Sequence, residues 1–467
     1  KWHDKRLQLH GFVVPSTIAK RVDRERQKLE YKFRIENCGA VADVRFAGVV
    51  PDTFKEGAEV VLKGKFDGSL FQTTEVMAKC PSKYAQAGDG YLTWRWVDND
   101  GPHDFAGVAR IAAADLAVVA DALADAVPDP LSGESIADGV QRALLRGPLA
   151  HPESTARLTR QLGDILLPDE LLATLCDAPT RPLVRIQPSA SLTRVPWEML
   201  LLDDLADIVG SAPATVRGSH RDDSGAIAPS AGPPEGPVVV VVDPVVPGQS
   251  ATSPLGSVLG RPSNGSPLAA LLSGSAAVRP AVAEYRDLAR RTDVDRDWLR
   301  HHLDGAARLL YVGHVTAASV DGESVDAALH LCCTGPSGAA LPLRAADLLS
   351  GGYHFPPRTA LIGCNSGGDL RHPDAMGLSM AALTIGAKLV TATRWAVPTN
   401  RALAVAGELG NRQPLEELIL AVDEAHRSTD PIPTLGRWQR ERRARWYAEG
   451  HVADSPLLWA ALTTTVG

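Results

Sequence analysis

The sequence predicts an α/β protein: an open, mainly parallel sheet with helices on both faces, preceded by a small all-β barrel. Three observations predict this. Apolar and polar residues alternate along residues 7–78, with glycines between the alternating stretches. From Tyr91 onward, short apolar runs alternate with stretches of helical spacing. Lysine almost vanishes at the same point: ten of the 11 lysines precede residue 88 and only Lys388 follows, whereas 31 of 37 arginines follow. The first 88 residues carry 16 basic and 11 acidic groups, net +5, and the remainder 32 and 44, net −12. Solvated surfaces accept either cation, so folding does not require this shift. It reads as two coding backgrounds joined near Gly88–Tyr91, by gene fusion, a chimera or an assembly error; the competing reading is ordinary drift between domains. The expected division is residues 1–88, a helical stretch over 89–180 and a large domain over 181–467.

In the first part, strands are expected over Leu7–Val14, Leu29–Ile35, Val41–Val49, Glu59–Phe66 and Leu70–Ala78. Pro51–Gly57 can form one helical turn closed by Gly57. Five strands with a short helical insert suggest an OB-type barrel. In the second part, Ala112–Val127 and Leu158–Leu167 have helical spacing. Strands are expected at Leu183–Ile186, Val238–Val242, Leu309–Val312, Ala328–Leu331, Ala360–Ile362, Leu389–Ala392 and Leu457–Thr463. Helices are expected at Ala281–Arg290, Arg296–Leu303, Ala375–Ile385, Arg401–Leu409 and Leu415–His426. Ser211–Pro237 and Ser250–Pro267, rich in Gly, Pro and Ser, read as mobile loops or linkers.

Composition narrows the function classes. Hydrophobic residues are 45% and charged residues 22% of the 467, the balance of a soluble globular chain. No run of about 18 apolar residues exists, so no membrane span is expected in this sequence. No secretory leader is expected either. The chain begins at Lys1 rather than Met, which leaves room for an anchor ahead of it. Six scattered cysteines without a Cys-x-x-Cys pair argue against a disulfide framework or a zinc ribbon. A net charge of −7 makes nucleic acid a poor default partner.

Two strand ends carry chemistry. LLYVGHV ends one expected strand at Gly313-His314, and ALIGCNSGG ends another at Gly363-Cys364. Active residues of open α/β sheets collect at such ends. A thiolate is a strong nucleophile, and an imidazole can deprotonate the thiol or protonate a leaving amine. Glycines beside the cysteine free N–H groups for an oxyanion hole. The competing reading is a cysteine that merely packs in the core.

Longer motifs sharpen both parts. HGFVVPSTI, VVPDTFKEGAEVVLKGKF and TTEVMAKCPSKY, in order over residues 7–84, resemble the CcmE family of haem chaperones of cytochrome c maturation. In that family a histidine usually binds haem covalently and a tyrosine four residues later ligates the iron. The matching positions here are Cys80 and Tyr84, the family's Cys-x-x-x-Tyr variant. The resemblance implies haem as cofactor, haem-delivery partners and a membrane anchor facing the periplasm. RIQPSASLTRVPWEMLLLD, VVVVVDP, LLYVGHV, LPLRAAD, ALIGCNSGGDL, GLSMAALTIGAKLVTATRWAVPT and SPLLWAALTTTVG resemble, in that order, the CHAT family of caspase-like cysteine peptidases.

The CHAT resemblance implies a caspase-type fold, a cytoplasmic setting, a protein or peptide substrate and no cofactor. It implies His314 and Cys364 as the catalytic dyad, with an oxyanion hole at Val315 and Cys364. Trp197 and Trp395 would be packing residues. The chain departs from the family's pattern in having Val315 where Gly commonly follows the His, and Gly363 where Ala commonly precedes the Cys. No Asp follows in Val397–Asn400. A domain that keeps the fold without cleaving is the alternative. Asp321, Glu323, Asp326, Asp369 and Asp374 are candidates for a pocket taking a basic side chain, and Arg371 and Arg394 for one taking an acidic side chain. The acidic balance of this part leans toward basic substrates.

Overall fold

The computed structural model describes residues 6–23, 28–37, 40–47, 59–66, 70–78, 88–96, 106–131, 133–178, 180–189, 192–200, 205–211, 234–250, 253–274, 277–318, 324–364, 366 and 377–467. The chain divides into two compact units, Lys1–Gln86 and Ala87–Gly467.

The first unit is a six-stranded sheet of β1 (Arg6–Val13), β2 (Ala19–Asp23), β3 (Lys28–Asn37), β4 (Ala40–Ala47), β5 (Glu59–Phe66) and β6 (Phe71–Ala78), ordered β1-β5-β6-β4-β3-β2. β1 also pairs with β3 through Phe12↔Glu36 and Val13↔Ile35. The alternation works as expected: Tyr31, Phe33 and Ile35 of β3 face one core with Val44, Phe46, Val60, Leu62 and Phe71. Sequence reading left β2 unassigned, because its residues do not alternate. Pairing along β3, from Ala19↔Lys32 to Asp23↔Lys28, supplies its order instead. The expected turn at Pro51–Gly57 lies outside the described residues.

The second unit begins with the antiparallel pair β7 (Gly90–Trp96) and β8 (Ala106–Ile111). Four helices follow: α1 (Ala113–Ala126), α2 (Ile136–Leu145), α3 (Pro152–Leu166) and α4 (Asp169–Cys176). Then come β9 (Leu183–Pro188), β10 (Asp207–Ser211), β11 (Val238–Val242), β12 (Val278–Arg279), α5 (Tyr285–Leu288), α6 (Arg296–Leu303) and β13 (Arg308–Val312). Three two-residue strands, β14 (Val315–Thr316), β15 (Ala328–Leu329) and β16 (Leu343–Arg344), make a small side sheet. The rest is α7 (Ala345–Ser350), β17 (Arg358–Ile362), α8 (Leu378–Thr384), β18 (Leu389–Thr393), α9 (Asn400–Ala406), α10 (Pro414–Arg427), α11 (Pro431–Glu449), α12 (Pro456–Trp459) and β19 (Leu462–Val466).

Ten strands form one sheet in the order β12-β11-β13-β17-β18-β19-β10-β9-β7-β8. β12, β11, β13, β17 and β18 are mutually parallel. β19 reverses against β18, and β10 and β9 run with β19. Alternate residues of a strand enter opposite cores. Val238, Val240, Val242, Leu310 and Val312 join one, while Val239, Val241, Leu309 and Tyr311 join the other. Both faces are therefore covered, which is why the strands read as unbroken apolar runs.

The expected strand Leu457–Thr463 splits instead. Ser455 Oγ accepts from the Leu457 N–H and Pro456 takes the first helical position, so the run starts as α12 and becomes β19 only at Leu462. The expected helix Ala281–Arg290 shortens to α5, closing before Arg290, which adopts φ 57°. β7, β8 and β10 went unassigned because strands this short carry too few alternations to register.

Candidate functional site

The site is assembled at the C-terminal ends of β11, β13 and β17. β13 and β17 pair in register from Arg308↔Arg358 to Val312↔Ile362. The Gly313 N–H donates to the Ile362 carbonyl at 3.1 Å, extending the pairing by one residue. His314 and Cys364 therefore each stand two residues beyond a matched strand end, and both line one cleft of about 850 Å³. Both are half-buried.

β11 ends at Asp243, which is 1% exposed and takes φ 47°, a left-handed conformation that a short polar side chain tolerates. Its N–H donates to the Val312 carbonyl at 2.6 Å, which ties it to β13. Its carboxylate accepts from Ser257 Oγ at 2.6 Å, the Val258 N–H at 3.2 Å and Arg290 Nη1 at 3.4 Å. These bonds pin residues 256–259 over the strand ends. The Gly256 carbonyl then accepts from His314 Nε2 at 2.9 Å and from Arg290 Nη1 at 3.1 Å. A carbonyl only accepts, so neutral His314 carries its proton on Nε2 and keeps Nδ1 as the basic nitrogen.

The histidine's backbone is fixed too. Its carbonyl accepts from Tyr311 Oη at 2.8 Å and from the His330 N–H at 3.0 Å. Burial holds the His314 pKa below the ordinary imidazole value, opposed by the Gly256 carbonyl and the Asp243 carboxylate. Burial pushes the Cys364 thiol up. Both shifts favour the uncharged forms of the thiol and the imidazole.

The cysteine sits on a turn held from below. Ser366, fully buried, donates to the Leu361 carbonyl and accepts from the Thr393 N–H at 3.0 Å. Thr393 Oγ1 donates to the Gly363 carbonyl, and Ser379 Oγ donates to the Ser366 carbonyl at 3.1 Å. β18 and α8 thereby clamp both flanks of Cys364.

Val315 pairs with Leu329 in the side sheet. The His330 N–H to His314 carbonyl bond marks Val315↔Leu329 as the non-hydrogen-bonded kind of antiparallel pair, so the Val315 N–H is not spent on this ladder. The Val315 side chain is 5% exposed and packs in the core. A Cβ on Gly363 would come 2.6 Å from Val315 Cγ2. The branch at 315 and the Gly313 carbonyl oxygen, also 2.6 Å away, therefore both fill the room that a methyl at 363 would take.

The other expected site residues fare differently. Cys80, Tyr84, Asp321, Glu323, Asp369, Arg371 and Asp374 lie outside the described residues. Asp326 pairs with Arg344 at 3.4 Å. Arg394 is buried just beyond the end of β18, donating to Glu198 at 3.0 Å and to the Ala460 and Leu462 carbonyls. It is a structural cation and does not line the cleft. Glu198 belongs to the VPWEM block, whose Trp197 is core, as is Trp395.

The largest miss is the segment Ser250–Pro267. Its Gly, Pro and Ser content suggested a linker, yet it delivers the Gly256 carbonyl and ends against a 3-10 helix at Pro267–Leu272. The available signal was Asp243 directly after VVVVV. The Ser211–Pro237 loop falls almost wholly outside the described residues. Among the described residues, no group of three His, Cys, Asp or Glu side chains is arranged to hold a metal, and no helix is long and apolar enough to cross a membrane.

Comparison with known proteins separates the same two parts. Residues 1–87 match the CcmE domain model and residues 156–467 the CHAT domain model. The cytochrome c-type biogenesis protein CcmE of Serratia proteamaculans (strain 568) is 33% identical over 81 residues, 17% of this chain and 47% of that protein. Its counterpart in Klebsiella pneumoniae (strain 342) is 35% identical over 81 residues, covering 51% of that protein. The chain thus spans about half the length of these curated relatives. Among solved structures, the OB-fold domain of the haem chaperone CcmE from Desulfovibrio vulgaris matches at 29% identity and TM-score 0.15, over 17% of this chain and 90% of that one. The Saccharomyces cerevisiae separase–securin complex matches at 13% identity and TM-score 0.33, over 78% of this chain and 20% of that one. With its CHAT match spanning most of the sequence, behind a CcmE domain at residues 1–87, this chain belongs to the CHAT domain family.

Proposed function

We propose that the second unit is a caspase-like cysteine endopeptidase using His314 and Cys364. The carrying observation is that both residues stand two positions beyond register-matched ends of neighbouring parallel strands and line one cleft. His314 Nδ1 takes the proton from Cys364 Sγ, and the sulfur attacks the peptide carbonyl carbon. The Val315 and Cys364 N–H groups hold the oxygen as it becomes negative. The imidazolium gives its proton to the amide nitrogen, the C–N bond breaks, and the amine product leaves a thioester on Cys364. Water, giving a proton to Nδ1, attacks the thioester, and the acid product leaves with the thiol restored. The Gly256 carbonyl fixes the ring through Nε2 and stabilises the imidazolium. A half-buried neutral pair suits this sequence, because charge appears only when substrate supplies the electrophile.

A covalent thiol-directed peptide probe tests the reading. The full chain incorporates one label at Cys364, and Cys364→Ala incorporates none while its melting temperature is unchanged. Absence of label in the native chain leaves a protein-binding module with a caspase-like fold.

The CcmE match favours a second, separate activity for the first unit: haem held through Cys80 and Tyr84 on an OB-type barrel, a closure that the double pairing of β1 with β5 and β3 supports. Haem would supply the iron that Tyr84 ligates. We assign the peptidase unit to the cytoplasm, whose reducing conditions suit a reactive thiol; the CcmE resemblance of the first unit implies the periplasmic face instead, so the two assignments compete for the whole chain.

A further inference from the structure

The cleft beside Cys364 has a chemical character of its own, which bears on the substrate and rests on the peptidase reading above. Its walls come from three places: α2, α9 with the segment leading into it, and the loop pinned by Asp243. They present Ile136, Val140, Leu255, Val397, Pro398 and Val405 toward one space. α2 and α9 pack on each other. Ile136 and Val405, at 61% and 65% exposure, are among the most exposed large apolar side chains of the described residues, and they come from two different helices of this wall. Capping fixes both helices: Ser135 and Asp138 form a reciprocal box at α2, and Thr399 Oγ1 accepts from the Ala402 N–H at α9.

The charged and hydroxyl side chains of the described wall are already engaged. Asp129 and Arg194 neutralise each other in an ion pair. Thr316 Oγ1 meets His330 Nε2 at 3.2 Å, Thr399 caps α9, and His314 is bound to Gly256. Asp243, a fully buried carboxylate next to β11, is engaged by Ser257, Val258 and Arg290 and does not line the cleft. A basic or acidic substrate side chain entering here would lose hydration and find its counter-charge already paired. An apolar side chain would leave water for a preformed apolar surface that runs up to the nucleophile.

We infer that the cleft selects peptide substrates carrying a bulky apolar side chain next to the scissile bond. This differs from the leaning toward basic substrates drawn from the net charge of the sequence, because bulk charge does not fix which of the described side chains face the cleft.

The test uses the full chain and peptidyl acyloxymethyl ketones that differ only in the residue beside the warhead: Leu, Phe, Arg or Asp. Intact-mass spectrometry follows alkylation of Cys364, with iodoacetamide as a measure of bare thiol reactivity. The Leu or Phe compound is expected to react roughly 10- to 100-fold faster than the Arg and Asp compounds, the selectivity of one well-filled apolar pocket. Val405→Arg and Ile136→Arg, both at exposed rim positions, should slow the apolar compounds several-fold while leaving the iodoacetamide rate and the melting temperature in place. Fastest reaction with the Arg or Asp compound, or apolar rates unmoved in both variants, overturns the inference. If no peptidyl ketone modifies Cys364 although iodoacetamide does, the peptidase reading itself is lost, an outcome distinct from a wrong preference.

Discussion

Gly363→Ala probes the fit between the two strand ends that carry the dyad. The added Cβ would lie 2.6 Å from the Gly313 carbonyl oxygen and 2.6 Å from Val315 Cγ2, whereas carbon atoms rest about 3.5–4.0 Å apart. Both contacts are too short, so the carbonyl oxygen and the valine methyl must each give way, the methyl by roughly 1 Å. The oxygen belongs to a backbone held by the sheet, and Val315 is packed in the core. Overpacking of this kind costs about 1–3 kcal/mol. Val315→Ala removes Cγ2 and by itself costs about 1.6 kcal/mol, two methyl groups' worth of burial. In the double variant the alanine at 363 becomes cheaper by at least about 0.5 kcal/mol, the signature of residues in contact. The remainder, set by the Gly313 oxygen, persists. Guanidinium unfolding followed by tryptophan fluorescence measures this, since eight of the nine tryptophans lie in Ala87–Gly467. Single-variant energies that add to within about 0.3 kcal/mol would refute the contact.

Acid should weaken the second unit through its buried neutral histidines. Burial takes His330 down to about 4, with His314 adding to the effect, and burial takes His426 down to about 3. Both folded values lie below the ordinary 6.5, so the unfolded chain binds protons first; the contribution is complete above pH 6.5 and is lost as pH falls toward the folded values. Each histidine accounts for about 2 kcal/mol of lost stability at pH 5. Urea unfolding at pH 7.5 and pH 5 measures the fall, and His330→Gln should shrink it by about 2 kcal/mol; an equal fall in both proteins would show that His330 does not stay neutral on folding. In the first unit, haem staining that survives denaturation is expected after loading, and Cys80→Ala should abolish it. Stain retained in that variant would remove Cys80 as the attachment point.

The division into two parts, the strand-to-helix alternation of the second and the strands bearing Gly313-His314 and Gly363-Cys364 were all legible in the sequence. Alternating and unbroken apolar runs are local consequences of which faces a strand buries, so they survive in one dimension. The lysine seam near Gly88 falls beside the boundary between the compact units. What stayed hidden depends on residues distant in the chain. A Gly- and Ser-rich stretch became an ordered loop only because the Asp243 carboxylate gathers its N–H and hydroxyl groups. The proton position on His314 is set by a carbonyl 58 residues away. The character of the cleft is set by α2 and α9, more than 250 residues apart in the chain, which the fold brings into contact. Sequence determined which side chains could react; tertiary packing decided what surrounds them, because solvation, hydrogen-bond partners and shape arise from neighbours in space rather than neighbours along the chain.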